Sequence, residues 1–232
     1  MESADGGYPL SHAQEQLWLL DQLRQGGATE YLMHETFRIV GPLDDRALSA
    51  ALTEIAGRHE VLRTRYGTEG GSPVQLIDDP SPVVPDRADL GDLPRAERED
   101  RLRQLVEERS RRPLDLRAEH PWRAALVRLA PGEHALLLTF HHIAFDGWSW
   151  GIVADELRAL YEAFSTGGPD PLEPLELQYA DYAEWRREWL AAQPEVTDRQ
   201  LDHWRQRLAG LEPLDLPTDR PRPATWQPDG DI

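Results

Sequence analysis

Two adjacent histidines, His141 and His142, carry the side chains of this 232-residue chain best suited to proton transfer, and the carboxylate Asp146 follows them. An unperturbed histidine has a pKa of about 6.5, so its neutral ring can accept a proton near neutral pH. An apolar run of strand length, His134–Phe140, precedes the pair, and the pattern of Ser149–Phe164 predicts an amphipathic helix. The pair is therefore predicted to lie where a buried strand opens into a loop, a position from which a base can act on a substrate in a cleft.

The alternation of side chains along a strand bears on the roles of the two histidines. We expect one ring to face the cleft and the other to pack inside the protein. A purely structural role for both rings is the ordinary alternative. A metal site is a third interpretation, because a His and an Asp four residues apart can share an ion. Here that spacing falls on a predicted loop and no third ligand is apparent nearby, so the sequence predicts no metal site.

Asp146 has two interpretations of its own. It is either a second catalytic carboxylate or a residue that fixes the loop by pairing with a buried arginine. Arg63 is the candidate partner, because it lies among strand-like residues. We favour the structural role for both, since breaking a buried ion pair typically costs about 3–5 kcal/mol.

Composition excludes several function classes. The net charge of −17 argues against binding nucleic acid or an anionic membrane, because both require a basic surface. No apolar run is long enough to span a bilayer and the first residues do not form a secretory leader, so we expect a cytoplasmic protein. The absence of cysteine excludes disulfides, thiolate metal sites and a cysteine nucleophile.

The remaining patterns predict a mixed α/β fold. Five further helices are predicted, from a Ser11 cap to about Leu23, from Asp44 to about Gly57, and at Arg95–Arg112, Tyr179–Ala192 and Thr197–Leu208. Strands are predicted at Glu35–Val40, Val61–Tyr66, Val74–Ile77 and Trp122–Leu129, and a surface loop at Asp78–Pro94. Five tryptophans on apolar faces are predicted to pack in the core: Trp18, Trp122, Trp185, Trp189 and Trp204.

Glycine and proline mark the predicted ends of segments. Gly26-Gly27 is predicted to end the first helix. The Gly- and Pro-rich segment Ser165–Pro174 is predicted to separate a first domain, residues 1–176, from residues 177–232. The proline-rich end, Pro213–Ile232, offers little to pack, so we expect the chain to be part of a longer protein.

Four segments, in order, resemble the signature motifs of the condensation domains of nonribosomal peptide synthetases. They are Ser11-x-Ala13-Gln14-x-x-Leu17-Trp18-x-Leu20, Arg58-His59-Glu60-x-Leu62-Arg63-Thr64, His141-His142-x-x-x-Asp146-Gly147 and Tyr179-x-Asp181-Tyr182-Ala183-x-Trp185. A lone His-x-x-x-Asp is shared by many acyltransferases, whereas four motifs in family order are specific. The first motif departs from the family at Gln16, where an arginine is usual.

The resemblance implies an α/β sandwich like that of chloramphenicol acetyltransferase. This chain would be the first lobe, with the start of the second, of a V-shaped two-lobed domain whose active site lies in the tunnel between the lobes. The family's catalytic role maps to His142 and site support to His141 and Asp146, while the Gly147 N–H could approach the reacting centre. Trp148 could shape the tunnel.

The resemblance also implies a reaction and its partners. An upstream peptidyl carrier protein presents a donor thioester on phosphopantetheine, a downstream carrier presents an acceptor amine, and an adenylation domain lies adjacent; no cofactor is bound directly. The second motif favours a subtype that uses L-configured donors. Alternatives are an epimerization domain, a coenzyme A-dependent acyltransferase and a non-catalytic lobe that docks carriers or partner enzymes. We expect the isolated chain to be inactive, because half of the tunnel wall would be missing.

Overall fold

The computed structural model describes residues 7–24 and 28–212, together with 214, 217, 219 and 221. The chain divides into two compact units, Met1–Glu184 and Trp185–Ile232. The first unit extends past the predicted boundary at residue 176, because Gln178 and Tyr179 hydrogen-bond to Arg58, Glu60 and Ser11 within it. The predicted helix end at Gly26-Gly27 and most of Pro213–Ile232 lie outside the described residues.

Helices and strands alternate along the first unit. In chain order they are β1 (Tyr8–Pro9), α1 (His12–Leu23), β2 (Leu32–Val40), α2 (Asp45–Arg58), a 3-10 helix (Glu60–Arg63), β3 (Thr64–Glu69), β4 (Ser72–Ile77), β5 (Asp86–Asp89), α3 (Arg95–Ser110), β6 (Trp122–Ala130), β7 (Glu133–His141) and α4 (Ser149–Ser165). Helix α5 (Tyr179–Ala191) crosses the division between the units, and α6 (Pro194–Leu208) belongs to the second.

A four-stranded sheet in the order β2-β7-β6-β5 forms the centre of the first unit. The β5–β6 pair is parallel, and the other pairs are antiparallel. Alternate residues of β6 and β7 pack on one face against α2 and α4, and the intervening residues pack on the other face against α3. Burial on both faces explains the continuous apolar run before the histidines, because neither side of β7 needs polar residues there.

A second sheet, in the order β1-β4-β3, lies in the same unit. The β3 residue Tyr66 is fully buried and packs with Trp18 of α1 and with Ile143, which follows the histidine pair. Gln14 of α1 connects the same elements through hydrogen bonds, because its amide donates to the Tyr66 hydroxyl at 3.2 Å and to Gln75 at 3.1 Å. The first sequence motif therefore forms part of the support beneath the histidine loop.

The α/β fold class is confirmed, but several element predictions are wrong in detail. Residues 61–63 of the predicted Val61–Tyr66 strand belong to the 3-10 helix Glu60–Arg63, after which the Thr64 hydroxyl donates to the Glu60 carbonyl at 2.7 Å. The predicted Asp78–Pro94 loop contains β5, whose charged sequence lacks strand alternation and is paired through tertiary contact with β6. Trp185 and Trp204 are exposed, so their predicted core packing is wrong: helical periodicity identifies an apolar face but does not show that anything covers it.

Candidate active site

His142 lies just past the end of β7 and is exposed. Its backbone N–H donates to the Tyr31 carbonyl at 2.8 Å, and its ring Nδ1 lies 2.6 Å from the Phe145 carbonyl oxygen. A carbonyl oxygen can only accept, so Nδ1 carries the proton of the neutral ring and Nε2 keeps the lone pair. The loop therefore fixes both the orientation and the tautomer of His142, and leaves Nε2 as the basic atom.

His141, by contrast, is completely buried. Its Nδ1 accepts the Ile143 N–H at 3.0 Å, and among the described residues its Nε2 has no hydrogen-bond partner. Burial, together with the neighbouring His142, lowers the pKa of His141 to about 4, so the ring is neutral at physiological pH. One ring is thus packed and the other exposed, the division that strand alternation predicts.

The buried His141 should make stability depend on pH. The unfolded chain takes up this proton near pH 6.5 and the folded chain only near pH 4, so acidification through that window favours unfolding. We expect the free energy of unfolding to fall by about 3 kcal/mol between these limits, relative to a His141→Asn variant that keeps an acceptor for the Ile143 N–H. Urea unfolding of both proteins from pH 7 to 4 measures the difference, and parallel pH profiles would contradict the prediction.

The predicted ion pair between Asp146 and Arg63 is wrong. Asp146 Oδ1 accepts the Ser149 hydroxyl at 2.7 Å and the Ser149 N–H at 2.9 Å. These hydrogen bonds lower the pKa of Asp146, and they place its carboxylate at the N-terminus of α4, where a negative charge is stabilised by the helix dipole. Asp146 thus holds the loop by binding the start of the following helix.

The Arg63 guanidinium is satisfied elsewhere. It donates to the carbonyl oxygens of Gly57 and Asp78 and to the Glu60 carboxylate at 3.1 Å. These contacts fold the side chain back over the 3-10 helix, away from any pairing with the histidine loop. The sequence pattern predicts a strand at Arg63, whereas the residue ends a 3-10 helix. Arg63 therefore pairs with residues in or next to that helix and not with Asp146.

Gly147 and Trp148 are both exposed. A Cβ added to Gly147 would meet no atom within 4 Å, so no contact in the described structure requires glycine here. Trp148 is 84% exposed and does not line the cavity described next. Its role in a tunnel stays a prediction.

An open cavity of about 630 Å³ contains the exposed face of His142. Its walls come from α1, the 3-10 helix, the histidine loop, α4 and the segment leading into α5. The lining is largely apolar, and its polar members are His59, His142, Asp146, Ser149, Gln178, Tyr179 and Tyr182. A mostly apolar cleft with a few convergent polar groups is typical of a substrate site.

His59 and Gln178 also line this cavity, and the sequence pattern predicts no role for either. The Gln178 amide donates to the Arg58 carbonyl at 3.0 Å, and its oxygen accepts the Glu60 N–H at 3.1 Å. This pair of bonds fixes the segment before α5 to the end of α2. His59 lies within the second motif, and that membership was the feature of the sequence that could have indicated its position at the site.

Neither a metal cluster nor a membrane span occurs in the described part of the chain. Within residues 7–24 and 28–212 and the few described beyond them, no group of three or more His, Cys, Asp or Glu side chains is arranged to hold a metal ion. No helix among these same residues combines the length and apolar character needed to cross a membrane.

Comparison with known proteins places this site in a family. Residues 4–232 match the family model for the condensation domain. The chain is 43% identical over 224 residues to one of the linear gramicidin synthase subunits of Brevibacillus parabrevis, and the match covers 96% of this chain and 4% of that synthase subunit. It is 41% identical over 227 residues to the phosphinothricin tripeptide synthetase PhsC of Streptomyces viridochromogenes, over 97% of this chain and 21% of that synthetase.

Two solved structures have the same fold. The X-domain from teicoplanin biosynthesis matches with a TM-score of 0.83 and 34% identity, over 97% of this chain and 48% of that chain. The first condensation domain of the calcium-dependent antibiotic synthetase, in complex with a substrate analogue, matches with a TM-score of 0.77 and 26% identity, over 90% of this chain and 49% of that chain. The chain spans about half the length of these solved structures. It belongs to the condensation-domain family of nonribosomal peptide synthetases and corresponds to about half of such a domain.

Proposed function

We propose that this chain supplies the histidine-bearing half of a domain that joins a donor thioester to an acceptor amine. Condensation domains of nonribosomal peptide synthetases form peptide bonds, and this family assignment sets the reaction class. The donor is an aminoacyl or peptidyl group on the phosphopantetheine of an upstream carrier protein, and the acceptor is carried by a downstream one. The observation that carries the proposal is the exposed, tautomer-fixed ring of His142 in a largely apolar cavity.

The reaction requires one proton transfer that His142 can perform. The amine nitrogen attacks the thioester carbonyl carbon, a C–N bond forms, and a tetrahedral intermediate with a protonated nitrogen results. That nitrogen loses its proton to Nε2, the C–S bond breaks, and the departing sulfur of the donor arm takes up a proton. The amide product remains on the acceptor arm, and the ring returns to its neutral form.

The timing of proton transfer follows from ordinary acidities. An α-ammonium group has a pKa of about 7.7–8.0, so an imidazole of ordinary pKa about 6.5 is a weak base for deprotonating it before attack. The nitrogen of the tetrahedral intermediate is far more acidic, and histidine is an adequate acceptor for its proton. We therefore propose that His142 removes the proton at or after attack and positions the neutral amine before it.

Substitution of Gly147 should affect product formation but not stability. We expect Gly147→Ala to leave the free energy of unfolding unchanged within about 0.5 kcal/mol, because the added methyl group enters open space. The family resemblance implies that the Gly147 N–H approaches the reacting centre, and a methyl group there would crowd that approach, so we expect product formation to fall roughly 10–100-fold. Urea unfolding and a product assay on the same preparation measure both effects. Gly151→Ala, where a Cβ also meets nothing within 4 Å, is the matched control in α4. Wild-type turnover by the Gly147 variant would remove the proposed role of this residue.

The experiment that tests the function uses the polypeptide in which this chain is joined to the rest of its condensation domain. Donor and acceptor carriers are loaded chemically with aminoacyl-pantetheine, and intact-mass spectrometry follows the acceptor carrier. A mass gain equal to the donor acyl group, dependent on both loaded carriers, supports condensation. A stereochemical change in the donor without mass gain would instead identify an epimerization domain, and acyl transfer from coenzyme A would identify a carrier-independent acyltransferase.

A non-catalytic docking lobe is the remaining alternative, since the X-domain from teicoplanin biosynthesis is also similar to this chain. Absence of product with both carriers loaded, together with measurable binding of a carrier or partner enzyme, would favour that role. The complete His-His-x-x-x-Asp-Gly motif and the fixed tautomer of His142 are what favour chemistry over docking.

A further inference from the structure

A second imidazole lines the cavity and is held by a carboxylate. His59 follows the end of α2, and its Nε2 lies 2.6 Å from Oε2 of Glu156 in α4. The two side chains are 21% and 12% exposed, and Arg58 donates to the other oxygen of Glu156 at 3.0 Å. Because a carboxylate accepts, Nε2 of His59 carries the proton, and the ring has one remaining nitrogen, Nδ1.

That remaining nitrogen has no hydrogen-bond partner among the residues that the structure describes. The His59 side chain is 21% exposed, so its ring is not fully enclosed. His59 lines the same cavity as His142, although it comes from a different element. His59 and His142 are held in the same way: one ring nitrogen donates to a fixed oxygen, and in the neutral ring the other nitrogen keeps its lone pair.

The contacts of Glu156 fix the position of the His59 ring at the cavity wall. Arg58, which binds Glu156, also donates to the Glu173 carbonyl, so the segment that precedes α5 is attached to the same cluster. Leu175 and Gln178 of that segment line the cavity beside His59. Glu156 is thus a positioning residue for both the imidazole and the wall around it.

We propose that His59 contacts the substrate, its Nδ1 accepting a hydrogen bond from an N–H group of the carrier-bound acceptor. This inference rests on the proposed function, because it takes the cavity to hold the acceptor. Two N–H sources have the required chemistry: the acceptor amine and an amide of the pantetheine arm. Neither a proton transfer nor a covalent step is assigned to His59.

Two substitutions separate substrate contact from a structural role. The amide of His59→Gln reaches the position of Nε2 and keeps the bond to Glu156, but it leaves nothing at Nδ1. The amide of His59→Asn occupies the position of Nδ1 and loses the bond to Glu156. We expect the Gln variant to keep wild-type stability and to lose about tenfold in kcat/KM for the acceptor carrier, mainly through KM. We expect the Asn variant to be less stable and, per folded molecule, more active than the Gln variant.

The outcomes are distinct from those that test the function itself. The assay is performed on the complete domain with loaded carriers, and wild-type product formation is established first. Its absence would refute the proposed function and, with it, the contact between His59 and the acceptor. With an active wild type, equal kcat/KM for the Gln variant and wild type overturns the inference. An Asn variant less active than the Gln variant, after correction for the folded fraction, overturns it as well.

An N-methylated acceptor identifies which N–H is bound. A primary amine has two N–H groups, and N-methylation leaves only the one whose proton the reaction passes to His142. If the amine is the partner of His59, the methylated acceptor therefore has no second N–H to donate, and His59→Gln should then cause little further loss. If an amide of the arm is the partner, the loss caused by His59→Gln should be the same for both acceptors. Either pattern supports contact between His59 and substrate, and it assigns the atom concerned.

Discussion

Replacement of His142 by alanine is expected to lower product formation by about 10²–10⁴-fold, the range that a positioned acid–base group contributes. The variant loses the Nε2 acceptor and the hydrogen bond from Nδ1 to the Phe145 carbonyl. His142 is exposed, so the free energy of unfolding should change by no more than about 1 kcal/mol. A large kinetic effect with a small stability effect is the pattern expected of a residue at the chemistry.

Single-turnover kinetics with both carriers loaded is the measurement, because it separates the chemical step from carrier exchange. His12→Ala, at an exposed residue of α1, provides a control for removing a histidine. A loss of roughly tenfold or less would indicate that alignment of the two tethered substrates supplies most of the acceleration and that the ring positions the amine. Full activity of His142→Ala would contradict any role in the reaction.

Phe140→Ala is expected to cause the largest loss of stability among the substitutions considered, about 3–5 kcal/mol. Phe140 is 1% exposed and lies in the central strand β7, directly before the histidine pair. Its ring stacks on Phe145 at 3.9 Å between centroids and meets Trp150 edge-on at 5.4 Å. Alanine would leave a cavity that these rings fill only partly. The Phe145 backbone, which binds His142 Nδ1, would lose its support at the same time.

Urea unfolding monitored by tryptophan fluorescence and circular dichroism measures this loss. Val40→Ala, at a position in β2 that is 80% exposed, is the matched control and should cost no more than about 0.5 kcal/mol. A change below about 1 kcal/mol for Phe140→Ala would mean that the aromatic cluster repacks freely. Activity should also fall in the Phe140 variant under conditions where it remains folded, because the histidine loop rests on this cluster.

Several features could be predicted from local sequence because they depend on neighbouring residues. The Ser11 cap and helix α1 follow from a hydroxyl that accepts the Gln14 N–H and a glutamine that binds back to the cap. The division between His141 and His142 follows from strand alternation at the end of an apolar run. Each of the four motifs that carry the family resemblance is itself a local pattern of neighbouring residues.

Other features depend on contacts between distant residues. Strand β5 forms because it pairs with β6, although its charged sequence resembles a loop. Arg63 donates to the Asp78 carbonyl, 15 positions away, and not to Asp146, whose own partner Ser149 is only three residues further along the chain. His59 and Glu156 are 97 positions apart in the chain, and the packing of α2 on α4 brings their side chains together.

The amino-acid sequence by itself determined the fold class and the family, and it indicated that the two histidine rings point to opposite sides, because periodicity and motif order are encoded in neighbouring residues. The tertiary structure decided which nitrogen of His142 is basic, what Asp146 and Arg63 bind, and which second imidazole lines the cavity. These hydrogen-bond partners are set by how the helices and strands pack in three dimensions. When several side chains of similar chemistry could pair with one polar group, the sequence pattern does not specify which of them lies closest to it.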